Sequence, residues 1–214
     1  MFKLSASQIK TFCWSKAKWA GQYILGIQDV YASQDALTLG HLAEHYIITK
    51  QDDYSILDKN KVIDGEKMIA TYDIIKHNAQ DIELPTDAVV QRKVEGELLW
   101  HHRVGYIDLC TSDCIYDIKT TQYLTKKDGA INMWSGMSTY DEYKLQLWIY
   151  SKLTGINNAK IVEVSKHEHK DKRVENQIID YVFDDATHAE MEAKYKPVVD
   201  EMYDLYTKFK VNAG

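Results

Sequence analysis

At 214 residues, the chain is long enough to bury a core as one domain. A formal net charge of −6 excludes a broadly basic nucleic-acid surface. Its apolar content and only two prolines exclude wholesale disorder, and no apolar run is long enough to span a bilayer.

The first helix is expected over residues 7–19. Leu4-Ser5-Ala6-Ser7 leads into it, Ser5 with Gln8 fits a capping box, and Ile9, Phe12 and Cys13 supply an inward face. Lys16 and Lys18 follow, as phosphate contacts or as solvated surface. A second helix is expected over 34–50, where Leu39, Leu42, Ala43, Tyr46 and Ile47 recur at helical spacing. Glu44 stands at the edge of that stripe, one turn beyond Gly40, with His41 and His45 flanking it. A glycine inside a helix costs about 1 kcal/mol relative to alanine, so Gly40 suggests close approach by another backbone. Glu44 by itself reads as an ordinary flank glutamate. A third helix is expected over 61–78.

Strands are expected over 88–94, 97–111 and 114–120, with a turn at Glu95-Gly96 and a two-residue turn at Ser112-Asp113. The second turn sets Thr111 against Cys114 and Asp108 directly against Asp117. Alternation then gives Ile107, Leu109, Tyr116 and Ile118 to a core face, and Tyr106, Asp108, Asp117 and Lys119 to the other. Like charges opposed across a hairpin repel, and aspartate is depleted in strands. A hard divalent cation held by oxygen ligands resolves the conflict; two acids on a solvated face is the bland alternative.

A helix over 141–153 ends at Gly155 and sets Gln146 and Tyr150 on one face. Strands over 160–165 and 174–183 and a helix over 186–209, interrupted or kinked at Pro197, complete the chain. His167-Glu168-His169 resembles a zinc pair on paper, but its charged neighbours favour an exposed loop. Lys126 and Lys127, after the Asp117 strand, are further phosphate-contact candidates.

Asp108 followed by Asp117-Ile118-Lys119 resembles the core motif of the PD-(D/E)XK nuclease superfamily. Leu39-Gly40-His41-Leu42-Ala43-Glu44 is similar to the preceding helix of its RecB-like and lambda-exonuclease-like members. Gln146-Leu147-Trp148-Ile149-Tyr150 resembles their Q-x-x-x-Y motif, and Leu4 to Ser7 with Phe12-Cys13 their N-terminal motif. The resemblance implies an α/β fold with a restriction-endonuclease-like core, a central mixed β-sheet flanked by helices. It implies one domain over 1–214, with the motifs in about 4–155 and C-terminal strands and helix in about 160–211.

It also implies a DNA exonuclease using one or two Mg²⁺ or Mn²⁺ ions. Glu44, Asp108, Asp117 and the Ile118 carbonyl would be ligands, Lys119 and Gln146 catalytic partners, and His41 and His45 secondary candidates. Tyr150 would stabilise the site or approach DNA; it could equally be core packing. A structure-specific or single-strand endonuclease, and a catalytically silent DNA-binding module, are the alternatives. Iron–sulfur relatives need four thiolates, and Cys13, Cys110 and Cys114 are too few. Three cysteines and no basic-then-apolar leader fit the cytoplasm, a host's if the protein is phage-encoded. The expected partner is DNA, with a homo-oligomer or a recombination protein compatible and no membrane.

Overall fold

Strand β3 (His101–Cys110) is the spine of the sheet, because three other strands pair with it. The structure is a computed structural model and describes residues 3–27, 34–59, 65–99, 101–126, 129 and 137–212. Along one edge of β3 runs β2 (Val89–Leu98), antiparallel from Val89↔Cys110 to Leu98↔His101. Its other edge is shared: β1 (Lys3–Leu4) pairs in parallel at His102 and Arg103, and β4 (Cys114–Thr121) pairs antiparallel at Leu109 and Cys110. Beyond β4 lie β5 (Asn158–Ser165), parallel to it, and β6 (Asn176–Val182), antiparallel to β5. This is a mixed six-stranded sheet.

Helices cover both faces. On one, α3 (Gln34–Thr49) and α5 (Gly65–Asn78) pack Leu42, Ala43, Ile47, Tyr72 and Ile75 against Ile118, Val162 and Val164. On the other, α1 (Ala6–Trp14), α2 (Lys16–Tyr23), α6 (Thr139–Thr154) and α7 (Asp185–Asn212) close over Ile107, Ile115 and Ile161. The short α4 (Ser55–Lys59) joins α3 to α5. No helix among the described residues is long and apolar enough to cross a membrane.

Four expectations need correction. The first helix is two, broken at Ser15, whose extended backbone (φ −157°) ends α1 while its hydroxyl accepts from Lys18 N and starts α2. Glu95-Gly96 is not a turn: β2 runs through it, and the chain turns after Leu98, with Leu99 at φ 52°. Gly96 serves packing instead, since a Cβ there would lie 3.1 Å from Leu153 Cδ2. Gly40 marks no close backbone approach, because a Cβ there would meet nothing within 4 Å among the described residues. The hairpin also lacks a single core face, since Ile107 joins the α6-side cluster while Ile118 and Tyr116 join the α3-side one. The β3–β4 pairing ends at Leu109↔Tyr116, so Ile107 and Ile118, which a continued ladder would set on one face, part to opposite faces.

Helix α6 stops at Gly155 in the left-handed region (φ 75°) as the sequence suggests, and starts two residues earlier than expected, where Ser138 is its N-cap. One stripe of it crosses the sheet. Tyr143 reaches Glu163 on β5, Gln146 reaches Asp117 on β4, Tyr150 reaches the Tyr106 carbonyl on β3, and Leu153 packs on Gly96 of β2. The spacing of three or four residues is one helix turn, so each contact lands one strand further on. Gly105 makes the third contact possible: a Cβ there would sit 2.5 Å from Tyr150 Cε1. Gly105→Ala is expected to lower stability by about 1–3 kcal/mol through overpacking. It would appear as a lower urea midpoint with unchanged slope; an unchanged midpoint would mean the Tyr150 ring yields freely.

Candidate active site

The site lies where β3 and β4 part. Thr111 N donates to Cys114 O at 2.9 Å and Cys114 N to Thr111 Oγ1 at 3.0 Å, fixing Ser112-Asp113 as the turn. The register therefore sets Asp108 against Asp117 as expected, but the ladder stops one pair earlier, at Leu109↔Tyr116. In place of a ladder bond, the Asp108 Oδ2 carboxylate oxygen accepts the Ile118 N–H at 2.7 Å. A strand residue presents its N–H and C=O on the same edge. The Ile118 carbonyl thus opens toward the same fork as the Asp108 carboxylate.

Asp117 is 1% exposed and held from two sides. Its Oδ1 accepts from Gln146 Nε2 at 2.8 Å, and its Oδ2 lies 2.6 Å from Lys119 Nζ. Gln146 also donates to the Tyr150 hydroxyl at 3.2 Å, which donates onward to the Tyr106 carbonyl at 2.8 Å. Tyr150 is 8% exposed and belongs to the α6-side core cluster, with its hydroxyl between Gln146 and the Tyr106 carbonyl. Glu44, half-buried on α3, accepts through Oε1 from Gln91 Nε2 on β2.

Electrostatics tie the three carboxylates together. Burial, then the charges of Asp117 and Glu44, push Asp108 up to about 7, against the pull of the Ile118 N–H and Lys119. Burial raises Glu44 as well, opposed by Gln91 and His41. For Lys119 burial favours the neutral amine, but Asp117 outweighs it and the ammonium is held above its ordinary range. Three carboxylates face this one ammonium, and a divalent cation would balance the remainder.

Among the described residues no three Asp, Glu, His or Cys side chains are drawn together as a ready metal cage. The reason lies in their present partners: Gln91 holds Glu44, the Ile118 N–H holds Asp108, and Lys119 and Gln146 hold Asp117. Lys119 supplies the positive charge that an ion would bring to Asp117. The donor set, carboxylates plus a backbone carbonyl, fits a hard cation.

The other sequence candidates scatter. His41 is exposed and close enough to lower Glu44, whereas His45 is half-buried one residue beyond it. Lys16 pairs with Glu201 of α7, and Lys18 Nζ lies 4.1 Å from the Trp14 ring centroid. Lys126 is exposed, and Lys127 lies outside the described residues. The His167–His169 segment is a loop between β5 and β6, where His169 pairs with Asp171. Cys13 is partly buried against the α6-side core, and burial raises its thiol.

Two features escaped the sequence. Gln91 would have been found had β2 been extended to Leu98, since the true register sets it against Asp108; a turn at Glu95-Gly96 sets it against Trp100 instead. The other is Glu163, fully buried on β5 beside Lys119 in the parallel register. Its carboxylate accepts from Thr125 N and Oγ1, Tyr143 and Gln177 at 2.6–3.0 Å. That anchors the chain leaving β4, and no local pattern announces it.

Comparison with solved structures bears on this geometry. A candidate exonuclease from Eubacterium rectale superposes with a TM-score of 0.66 at 16% identity, over 97% of this chain and 82% of that one. An alkaline exonuclease from Laribacter hongkongensis superposes at 0.53 and 15%, over 99% and 93%. The chain has a restriction-endonuclease-like fold. No family model matches it, and no curated protein sequence does. At these identities the likeness is one of fold. Within the restriction-endonuclease-like frame the residues themselves must carry the chemistry.

The raised Asp108 makes the site's pH dependence testable. Without metal, the folded protein holds the Asp108 proton more tightly than the unfolded chain, whose carboxylate stays near 3.8. The resulting stabilisation is complete below about pH 4 and lost as pH rises through about 7. Asp108→Asn keeps an acceptor for Ile118 N and removes the charge. In chelator it should stabilise the protein at pH 8, on the order of 1–3 kcal/mol, and little at pH 4. Equal shifts in melting temperature at both pH values would contradict the burial and repulsion assigned to Asp108.

Proposed function

We propose that the protein is a divalent-metal-dependent deoxyribonuclease that hydrolyses phosphodiester bonds from DNA ends. The observation that carries this reading is the pair of opposed carboxylates at the β3–β4 fork, Asp108 and Asp117, with Lys119 in contact with the second. A binding module has no need of acids set against each other across a hairpin. The likeness of fold to exonucleases supports the reading.

Asp108, Asp117, the Ile118 carbonyl and Glu44 would hold one or two Mg²⁺ or Mn²⁺ ions. Such an ion supplies a more acidic bound water and charge stabilisation on the phosphate and leaving oxygen. Lys119 lies two residues beyond Asp117, on the same face, and would position the attacking water or take its proton and face the phosphate charge. Gln146 would keep the Asp117 carboxylate oriented, and the buried Tyr150 would keep Gln146 in place. Lys16, Lys18, Lys126 and Lys127 are proposed DNA contacts, with Lys16 first releasing Glu201. The setting we propose is phage recombination or other DNA processing in the cytoplasm, with a homo-oligomer or a recombination partner compatible.

Linear duplex should be degraded in Mg²⁺ and spared in chelator, while covalently closed circles survive. Rapid nicking or linearisation of circles would make the enzyme an endonuclease, and inertness toward both would make it a silent module. Lys119→Met keeps the aliphatic stem and removes the charge. It should still bind DNA while single-turnover cleavage falls by about 10²-fold or more. Retained turnover with weakened DNA binding would make Lys119 a phosphate contact.

A further inference from the structure

Gln91 belongs to none of the motifs that mark the site, yet its backbone and side chain both depart from what an edge strand requires. Its φ of 52° puts it in the left-handed region, and it is the one non-glycine residue inside a helix or strand to do so among the described residues. The β2–β3 register passes from Val90↔Leu109 to Arg92↔Ile107 and skips the pair between them, Gln91 and Asp108. The break thus falls across from the carboxylate at the centre of the fork. Beyond it, Ile107 and Cys110 join the same core cluster, which strict alternation would forbid for residues three apart. From this position the Gln91 amide donates to Glu44 Oε1, joining β2 to α3.

We propose that Gln91 is a positioning residue that orients the Glu44 carboxylate for the metal site. The inference rests on the metal-nuclease reading above and extends it to a residue that reading does not use. A left-handed glutamine persists only where its surroundings over-determine it, and such strain gathers at functional sites. Glycine would take this backbone without strain, and asparagine more readily than glutamine. Neither reaches Glu44 as glutamine does, since glycine has no amide and asparagine is a methylene shorter. The residue present is thus the one that spans to Glu44, not the one the backbone prefers. The amide engages Oε1 and leaves Oε2 for an ion. Hydrogen bonds of this kind orient ligating carboxylates, and their loss typically costs 10–100-fold in metal affinity.

The test is calorimetric titration of Mg²⁺ into wild type, Gln91→Gly, Gln91→Asn and Asp108→Ala, beside thermal unfolding of each in chelator. Both Gln91 variants should bind Mg²⁺ about 10-fold or more weakly. The metal-free melting temperature of the glycine variant should stay at or above the wild-type value. Wild-type Mg²⁺ affinity in the glycine variant would overturn the assignment while leaving the site intact. Joint loss of affinity and metal-free stability would make Gln91 a structural tie and overturn it too. If wild type takes up no Mg²⁺, or Asp108→Ala binds as wild type does, the metal site itself fails and Gln91's role with it.

Discussion

The Asp108 carboxylate holds the fork between β3 and β4 by accepting a backbone N–H that the ladder leaves unpaired. An unsatisfied backbone donor in a buried place is costly, so the parting of the strands and the acid that fills it are one feature. Were the ladder continued, Ile118 would exchange both bonds with Ile107. Parted, the strands turn the Ile118 carbonyl and two carboxylates toward one place. The sheet thus gives up local pairing at its centre and gains a concentration of oxygen donors, which is the form of strain expected at a functional site.

The rest of the fold restrains that opening from both faces. Above it, α6 sets a polar contact on each of β5, β4 and β3 in turn, and Gly105 lets Tyr150 lie close enough to fix Gln146. Asp117, almost wholly buried, therefore has both oxygens engaged in a fixed direction. From the opposite face α3 brings Glu44, its apolar stripe seated on the α5-side core. Burying three acids near one another raises Asp108, an electrostatic cost that a bound cation would relieve. Asp117 is thus restrained from the α6 side and Glu44 separately by Gln91 of β2, before any ion is bound.

Where local chemistry decides, the sequence was sufficient. The Ser112-Asp113 turn held because the Thr111 side chain supplies the bond that a stronger turn pair would not need. The Ser5 cap and the Gly155 stop followed from capping chemistry. Asp108 stands against Asp117, with Lys119 beside the latter, because register is an integer count from that turn, whereas Gln146 meets Asp117 where only the resemblance placed it. Sequence reasoning failed where a residue's purpose is tertiary. Gly96 reads as a turn but makes room for Leu153, and that error displaced the register of β2 and hid Gln91. Ser15 breaks a helix through its own hydroxyl. Glu163 reads as one more strand acid until Thr125, Tyr143 and Gln177, far apart in the chain, are seen to meet on it.

The central claim is that the β3–β4 fork is a hard-cation site. Crystals of the protein soaked in Mn²⁺ and measured for anomalous scattering test it most directly. The account predicts a peak among Asp108, Asp117 and the Ile118 carbonyl, with the Lys119 ammonium moved off the Asp117 carboxylate. No peak at the fork, with the Lys119–Asp117 pair intact at full Mn²⁺ occupancy elsewhere, would contradict it.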